Sequence, residues 1–201
     1  MPWLLALFVF AGPFWREKPA GEWTDIQLSQ FFVESPWAKM ATATGKGSLS
    51  APVAVYIASA GPVELAERER ERRVALRRKQ ANDPLAEEYR AWFEQYRKTE
   101  VILAVRVGNS TAFSEGPEIR RMEDGCWMRV PRGRVKATAH FPPSSRDPYL
   151  RLAFPRNLIN NLVTTEEKYL GFDLYLPGVA GPYREVQFTL KEIMVEGRPE
   201  L

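Results

Sequence analysis

From Thr99 to Leu190 the chain is cut into short apolar stretches by turn residues, and no long helix-forming run interrupts the series. Val101-Ile102-Leu103-Ala104-Val105-Arg106-Val107 is rich in β-branched residues and reads as a buried strand. Arg134 to Phe141, Tyr149 to Phe154, Tyr169 to Leu176 and Arg184 to Leu190 read as further strands. In the third of these Leu170, Phe172, Leu174 and Leu176 alternate as on a half-buried strand, and Val186 and Phe188 do the same in the fourth. Glu118 to Glu123 and Cys126 to Val130 flank Asp124-Gly125, a favoured two-residue hairpin turn, and predict one hairpin more. Strands joined without a crossover helix pair antiparallel. The spacing therefore predicts an α+β chain with an antiparallel β-sandwich-like domain over residues 50–201.

Upstream of these strands, residues 13–49 read as a linker and a helical arm. Thr24 and Gln27 have the spacing of a capping box, and Ile26, Leu28, Phe31 and Phe32 give the helix its apolar contacts. Ser35-Pro36-Trp37 ends that helix or begins another. Gly45 to Pro52 is a loop, and Val53 to Ile57 is a strand. A helical hairpin is then inserted at about 62–98. Its first arm, Pro62 to Gln80, is dense in Glu and Arg with i,i+4 pairs at Glu64–Arg68 and Glu69–Arg73, and lacks an apolar face. It is predicted to be largely solvated. The second arm starts at Asp83-Pro84 and lines up Leu85, Tyr89, Trp92, Phe93 and Tyr96 for docking.

Residues 1–12 carry no charged side chain, and the apolar run from Trp3 to Ala11 is too short for a bilayer. Its length suits the core of a secretory signal, with Val9-Phe10-Ala11 as a small-residue cleavage site. The absence of Lys or Arg ahead of it is unusual for a signal, and an apolar N-terminal strand is the alternative. Export to a periplasmic or extracellular space is the expectation. A single cysteine excludes an intrachain disulfide within these 201 residues, so packing must hold the fold.

Trp23, Ser35-Pro36-Trp37-Ala38, the run Val55 to Val63 with its Ser59-Ala60-Gly61-Pro62-Val63, and Val186 to Gly197 together resemble an uncharacterised family of predicted exported bacterial proteins. The resemblance covers most of the chain in outline. It implies export and a β-rich fold, and it brings no activity and no functional residue.

Catalytic chemistry has thin support in the residues. Cys126 and His140 are the candidates for a thiol–imidazole pair, a pair that needs the ring nitrogen near the sulfur and oxyanion donors beside it. The simpler reading makes Cys126 a small buried apolar residue and His140 a strand-end residue. One histidine and one cysteine assemble no ordinary zinc site, no EF-hand loop is present, and no cofactor motif appears, so neither metal nor cofactor is expected. Paired carboxylates do not stand out.

The basic cluster Arg77-Arg78-Lys79 closes a helix whose earlier Arg residues interleave with Glu. Such interleaving cancels most of the field, and a formal net charge of +3 argues against nucleic acid. Lipid headgroups or an acidic partner remain candidates for that cluster. Trp23 and Trp37 are candidates for a glycan or protein contact, with packing as the simpler role. The function these features predict is an exported, non-enzymatic interaction or structural module binding a protein or a surface glycan. The alternatives are an enzyme of unfamiliar type, and membrane-surface association through the basic end of helix 62–80.

Overall fold

The computed structural model describes residues 13–44, 50–78, 84–108, 111–114, 116–130, 133–160, 169–195 and 198–201. The proposed signal segment at 1–12, and Lys79, lie outside the described residues. The helices are α1 (Phe14–Glu17), α2 (Asp25–Glu34), α3 (Gly61–Arg78), α4 (Pro84–Tyr96), α5 (Gly116–Gly125) and α6 (Arg156–Asn160). The longer strands are β1 (Ala38–Ala43), β2 (Val53–Ile57), β3 (Glu100–Arg106), β4 (Trp127–Val130), β5 (Gly133–Lys136), β6 (Ala139–Phe141), β7 (Tyr149–Pro155), β8 (Tyr169–Tyr175) and β9 (Tyr183–Thr189). A two-stranded ladder, β10 (Met194–Val195) with β11 (Arg198–Pro199), follows.

The fold is mixed α+β, built on one large curled antiparallel sheet of nine strands in the order β5-β4-β8-β9-β1-β2-β3-β7-β6. Two devices curl it. β1 pairs with β2 through Ala38 to Ala41 and with β9 through Thr42 and Ala43. β5 and β6, at opposite ends of that order, are consecutive in the chain. Between them the Ala137 amide donates to the Cys126 carbonyl at 3.1 Å and the Thr138 amide to the Ala153 carbonyl at 2.8 Å. The inner face collects Phe154, Phe172 and Phe188, whose rings meet at 5.2 and 6.0 Å. Val55, Leu103, Leu152 and Met128 are buried on the same principle of alternation.

β3 is buried on both faces because helices cover the outside of its half of the sheet. One outward row runs across five strands in register: Phe141, Arg151, Ala104, Tyr56 and Ala38. Ala104 keeps the middle of that row low, and Arg151 and Tyr56 rise on either side of it.

Several readings need correction. Residues 118–125 are helix α5 rather than a hairpin strand. Pro117 suits the first turn, Arg121 pairs with Glu118 at 2.7 Å, and Met122 is buried on the inner side. Asp124-Gly125 closes this helix, and the Trp127 indole donates to the Asp124 carbonyl at 2.9 Å. The strand expected over 134–141 is two strands, because its halves bond to different neighbours. β1 was not expected at all, and it breaks the proposed division at residue 49: the N-terminal arm supplies a strand between β2 and β9. Thr24 and Gln27 do form the capping box of α2, whose Leu28, Phe31 and Phe32 are buried while Ile26 is exposed.

The helix predicted as solvated is the larger surprise. In α3, Val63 and Ala66 are buried, and so are Glu67 and Glu69, at 5% and 8% exposure. Glu69 accepts from Arg72 and Arg73, and Arg73 also donates to the Trp23 carbonyl and to Asp25. Pattern reading misses such a face because matched charges, rather than apolar side chains, are what it buries.

Candidate functional site

Arg151 stands on β7 between Leu150 and Leu152, which point inward, so alternation turns its side chain to the outer face. It is 1% exposed. Its guanidinium lies 3.7 Å from the centre of the Tyr89 ring of α4, donates to the Tyr149 carbonyl at 3.1 Å, and pairs with Asp147 at 2.7 Å. Glu67 of α3 comes down onto this group, 3.7 Å from Arg151. The Tyr56 hydroxyl donates to Glu67 at 2.6 Å, the Tyr89 hydroxyl at 3.2 Å and Arg70 at 3.2 Å. Arg70, one turn further on, lies over the Phe32 ring at 4.3 Å and the Tyr149 ring at 5.2 Å.

Arg151, Glu67, Tyr56 and Tyr89 thus form one buried knot, with Arg70, Asp147 and Tyr149 half-buried at its edge. Burial pushes the Tyr56 and Tyr89 hydroxyls up, and the Glu67 charge pushes them further, so both keep their protons and donate. Burial alone would lower Arg70 and Arg151. The facing tyrosine hydroxyls, Tyr56 for Arg70 and Tyr89 with Tyr56 for Arg151, and then the Glu67 carboxylate outweigh it and hold both above the usual range. The arrangement fixes Tyr89 and Tyr149 in place, and with them the wall of a cleft.

That cleft has a volume of about 330 Å³, in the lower part of the range for small-molecule sites. α3 and α4 form one side through Val74, Ala75, Leu85 and Tyr89, and the segment from Phe141 to Arg151 forms the other. Trp92 and Tyr89 pack on Phe141 at 5.8 and 5.5 Å, so the aromatic wall continues into the helix pair. Glu71 lines the cleft beside Arg90, its partner at 3.5 Å. Burial pushes the Glu71 carboxyl up, and the neighbouring Glu67 charge adds to that. A wider groove of about 580 Å³ between α3 and α4 shares Glu71, Tyr89 and Arg90 with the cleft.

The residues singled out from sequence lie elsewhere. Cys126 is fully buried and its thiol contacts the Tyr175 carbonyl at 3.6 Å, while His140 faces Glu123 at 3.5 Å. The two are not brought together. Burial pushes the thiol up to about 12, so it is no thiolate nucleophile, and burial lowers His140. Trp23 and Trp37 are each 5% exposed, and both rings pack against Phe31. Their indoles donate inward, to the Lys18 and Glu200 carbonyls at 2.9 and 3.1 Å. They are pegs of the core and present no face to a ligand. Arg77 is tied to Asp25. The Arg78 side chain and Lys79 are outside the described residues.

Sequence reasoning passed over Arg151, Tyr56, Glu67 and Arg70. One signal was available: Arg151 is the lone charge inside Tyr149-Leu-Arg-Leu-Ala-Phe154, and a charge there demands a buried acid from whatever covers the strand. Among the described residues no group of three or more His, Cys, Asp or Glu is placed to hold a metal ion. Nor is any described helix long and apolar enough to cross a membrane. Comparison with protein-family models, with curated proteins and with solved structures found no match.

Proposed function

We propose that this chain is an exported, non-enzymatic binding module that takes a glycan in the cleft between α3, α4 and the Phe141–Arg151 segment. The observation that carries the reading is the cleft itself, about 330 Å³ with an aromatic and aliphatic wall and a rim of charged groups. Sugar-sized ligands need flat apolar surface for their C–H faces and fixed polar groups for their hydroxyls. Tyr149, Phe141 and Leu85 offer the first, and Arg90, Asp147 and Ser144 offer the second. The buried knot behind the wall supports binding over catalysis, since each of its charges already has a protein partner and the site is held stiff.

In this reading the curled sheet is sandwich-like, and α3 with α4 is a helical hairpin inserted on its outer face. Glu64–Arg97 at 3.0 Å and Glu71–Arg90 at 3.5 Å support that pairing of the helices. Export rests on the Trp3–Ala11 run, and the family resemblance belongs to the same proposal. The alternative, membrane-surface association through the basic end of α3, has Arg77 exposed there and paired with Asp25.

The test is a glycan array of neutral and acidic oligosaccharides, run with the purified chain and with Leu85→Trp, which fills the cleft mouth. Binding to a defined set of sugars that the variant loses is the expected result. An empty array, or binding untouched by Leu85→Trp, overturns the proposal. Sequencing the N-terminus of the protein recovered from its host tests export separately, with cleavage near Ala11 expected and an intact Met1 against it.

A further inference from the structure

The cleft does not end at its own walls. Glu71, Ala75, Tyr89 and Arg90 line both it and the wider groove of about 580 Å³ between α3 and α4, so the two share one partition. Along α3 the lining of the groove runs from Glu64 to Ala75, about 16 Å at the helical rise of about 1.5 Å per residue. The cleft carries the path on past Leu85 to Tyr149. Tyr89 and Phe93 line the depth of the groove, and the Tyr89 ring meets Phe141 of the cleft at 5.5 Å.

Charge along this path cancels. Arg70, Arg90, Arg146 and Arg151 stand at the cleft. Glu71, Glu87, Asp147 and, behind the wall, Glu67 match them in number. In the groove Arg68, Arg72 and Arg90 meet Glu64, Glu67, Glu71 and Glu94, and Arg97 ties Glu64 at 3.0 Å and Glu94 at 2.7 Å. An ionic ligand would find no net countercharge here and would lose its hydration. A neutral polyol meets a better match. The Glu71–Arg90 pair, 3.5 Å apart with side chains 39% and 61% exposed, stands on the partition and presents an acceptor beside a donor. Adjacent ring hydroxyls each donate and accept, so one can give to the carboxylate while its neighbour takes from the guanidinium.

We propose that cleft and groove form one extended site for a linear, neutral oligosaccharide several rings long. The chain crosses the Glu71–Arg90 pair, with a ring in the cleft against Tyr149 and Phe141 and further rings along the groove between α3 and α4. This deepens the glycan-binding reading given above and rests on it. Both spaces, about 330 and 580 Å³, fall in the range of about 300–1,000 Å³ for small-molecule sites, and joined end to end they suit a chain better than a single ring.

The experiment titrates the full chain calorimetrically, at one fixed ionic strength, with cello-, manno-, xylo- and chito-oligosaccharides from disaccharide to hexasaccharide. Galacturonate oligomers of the same lengths are the charged comparison. Leu85→Trp, which fills the cleft, and Arg68→Trp, which fills the groove alone, are titrated in parallel, and their melting temperatures are measured to confirm that both fold. Arg68 suits this use: its side chain is 64% exposed and its ion pair with Glu64 is long, at 3.8 Å. At least one neutral series should bind saturably and tighten about tenfold or more from disaccharide to tetrasaccharide, with galacturonate no tighter. Arg68→Trp should remove that gain and spare the disaccharide, and Leu85→Trp should abolish binding at every length. Affinity that does not grow with length, or growth untouched by Arg68→Trp, overturns the extended site and leaves the glycan cleft standing. Galacturonate binding tighter than every neutral series overturns the neutral ligand and also leaves the cleft standing. No heat with any of these sugars in a folded protein sinks this proposal and the glycan reading together.

Discussion

Glu67→Gln is the most direct probe of the buried knot. The carboxylate receives hydrogen bonds from Tyr56, Tyr89 and Arg70 and lies 3.7 Å from Arg151. Tyr56 donates to Oε1 and Tyr89 to Oε2, and an amide keeps one of these acceptors, so the change removes the charge and one hydroxyl's acceptor. Arg151 would keep Asp147 as its acid, and Arg70 would be left without a carboxylate partner in the knot. Removing one partner of a buried ion cluster costs about 3–5 kcal/mol, a large part of the roughly 5–15 kcal/mol that holds a domain folded. With a urea slope of about 2 kcal/mol per molar, the unfolding midpoint should fall by about 1.5–2.5 M. Tryptophan fluorescence reads the transition. In the double variant Glu67→Gln/Arg70→Gln the loss should be less than the sum of the single losses, because the second change removes the stranded charge. A midpoint that moves by less than about 0.3 M at unchanged slope would refute the claim that this network carries the packing of α3 on the sheet.

Other outcomes follow from single residues. Arg72 and then Arg73 bond the Glu69 carboxylate and lower its pKa from 4.5 to about 2. A depressed folded-state pKa makes its contribution fully present above about pH 4.5 and lost as the pH falls toward 2, so acid unfolding should begin at higher pH in Glu69→Gln. The Cys126 thiol, pushed up to about 12 by burial, should resist a thiol-directed chromogenic reagent at pH 8 and react fully once urea unfolds the chain. Fast labelling of the native protein would contradict its burial. Gly125→Ala sets a new methyl 2.7 Å from the Tyr175 Cβ, a short contact that neither backbone relieves cheaply. It should cost about 1–3 kcal/mol in a chemical melt, and an unchanged midpoint would mean that α5 does not press on β8 as described.

How much of this was legible in the sequence depends on what each element buries. β3, β7, β8 and β9 announce themselves through Val, Ile, Leu and Phe, because their inner faces are apolar. β1 does not: Ala38-Lys39-Met40-Ala41-Thr42-Ala43 has small side chains, and its place is fixed by its two neighbours rather than by its own propensity. α5 was misread because Asp-Gly closes helices as well as hairpins, and the Glu118–Arg121 and Tyr175–Glu118 contacts that favour the helix are invisible in a local window. The site was hidden for a related reason. Glu67, Arg70, Tyr89 and Arg151 come from two helices and a strand, and in a Glu/Arg-rich helix nothing marks Glu67 from Glu71 until the sheet beneath is in place. Trp23 and Trp37 show the converse: large aromatics drew the eye toward binding, and the core claimed them.

The placement of β1 also sets a clock. Its first half finds β2 within a few residues of chain, but Thr42 and Ala43 wait for Glu185 and Arg184. At about 5–20 residues per second of synthesis, that wait is on the order of ten seconds, during which the far end of β1 has no partner strand. Even in a complete chain the pairing closes a very long loop, so refolding should fall among the slow, milliseconds-to-seconds class of non-local β topologies. The sheet is thus finished by its most distant contact, and until β9 arrives the halves that β1 joins are held together from one side only.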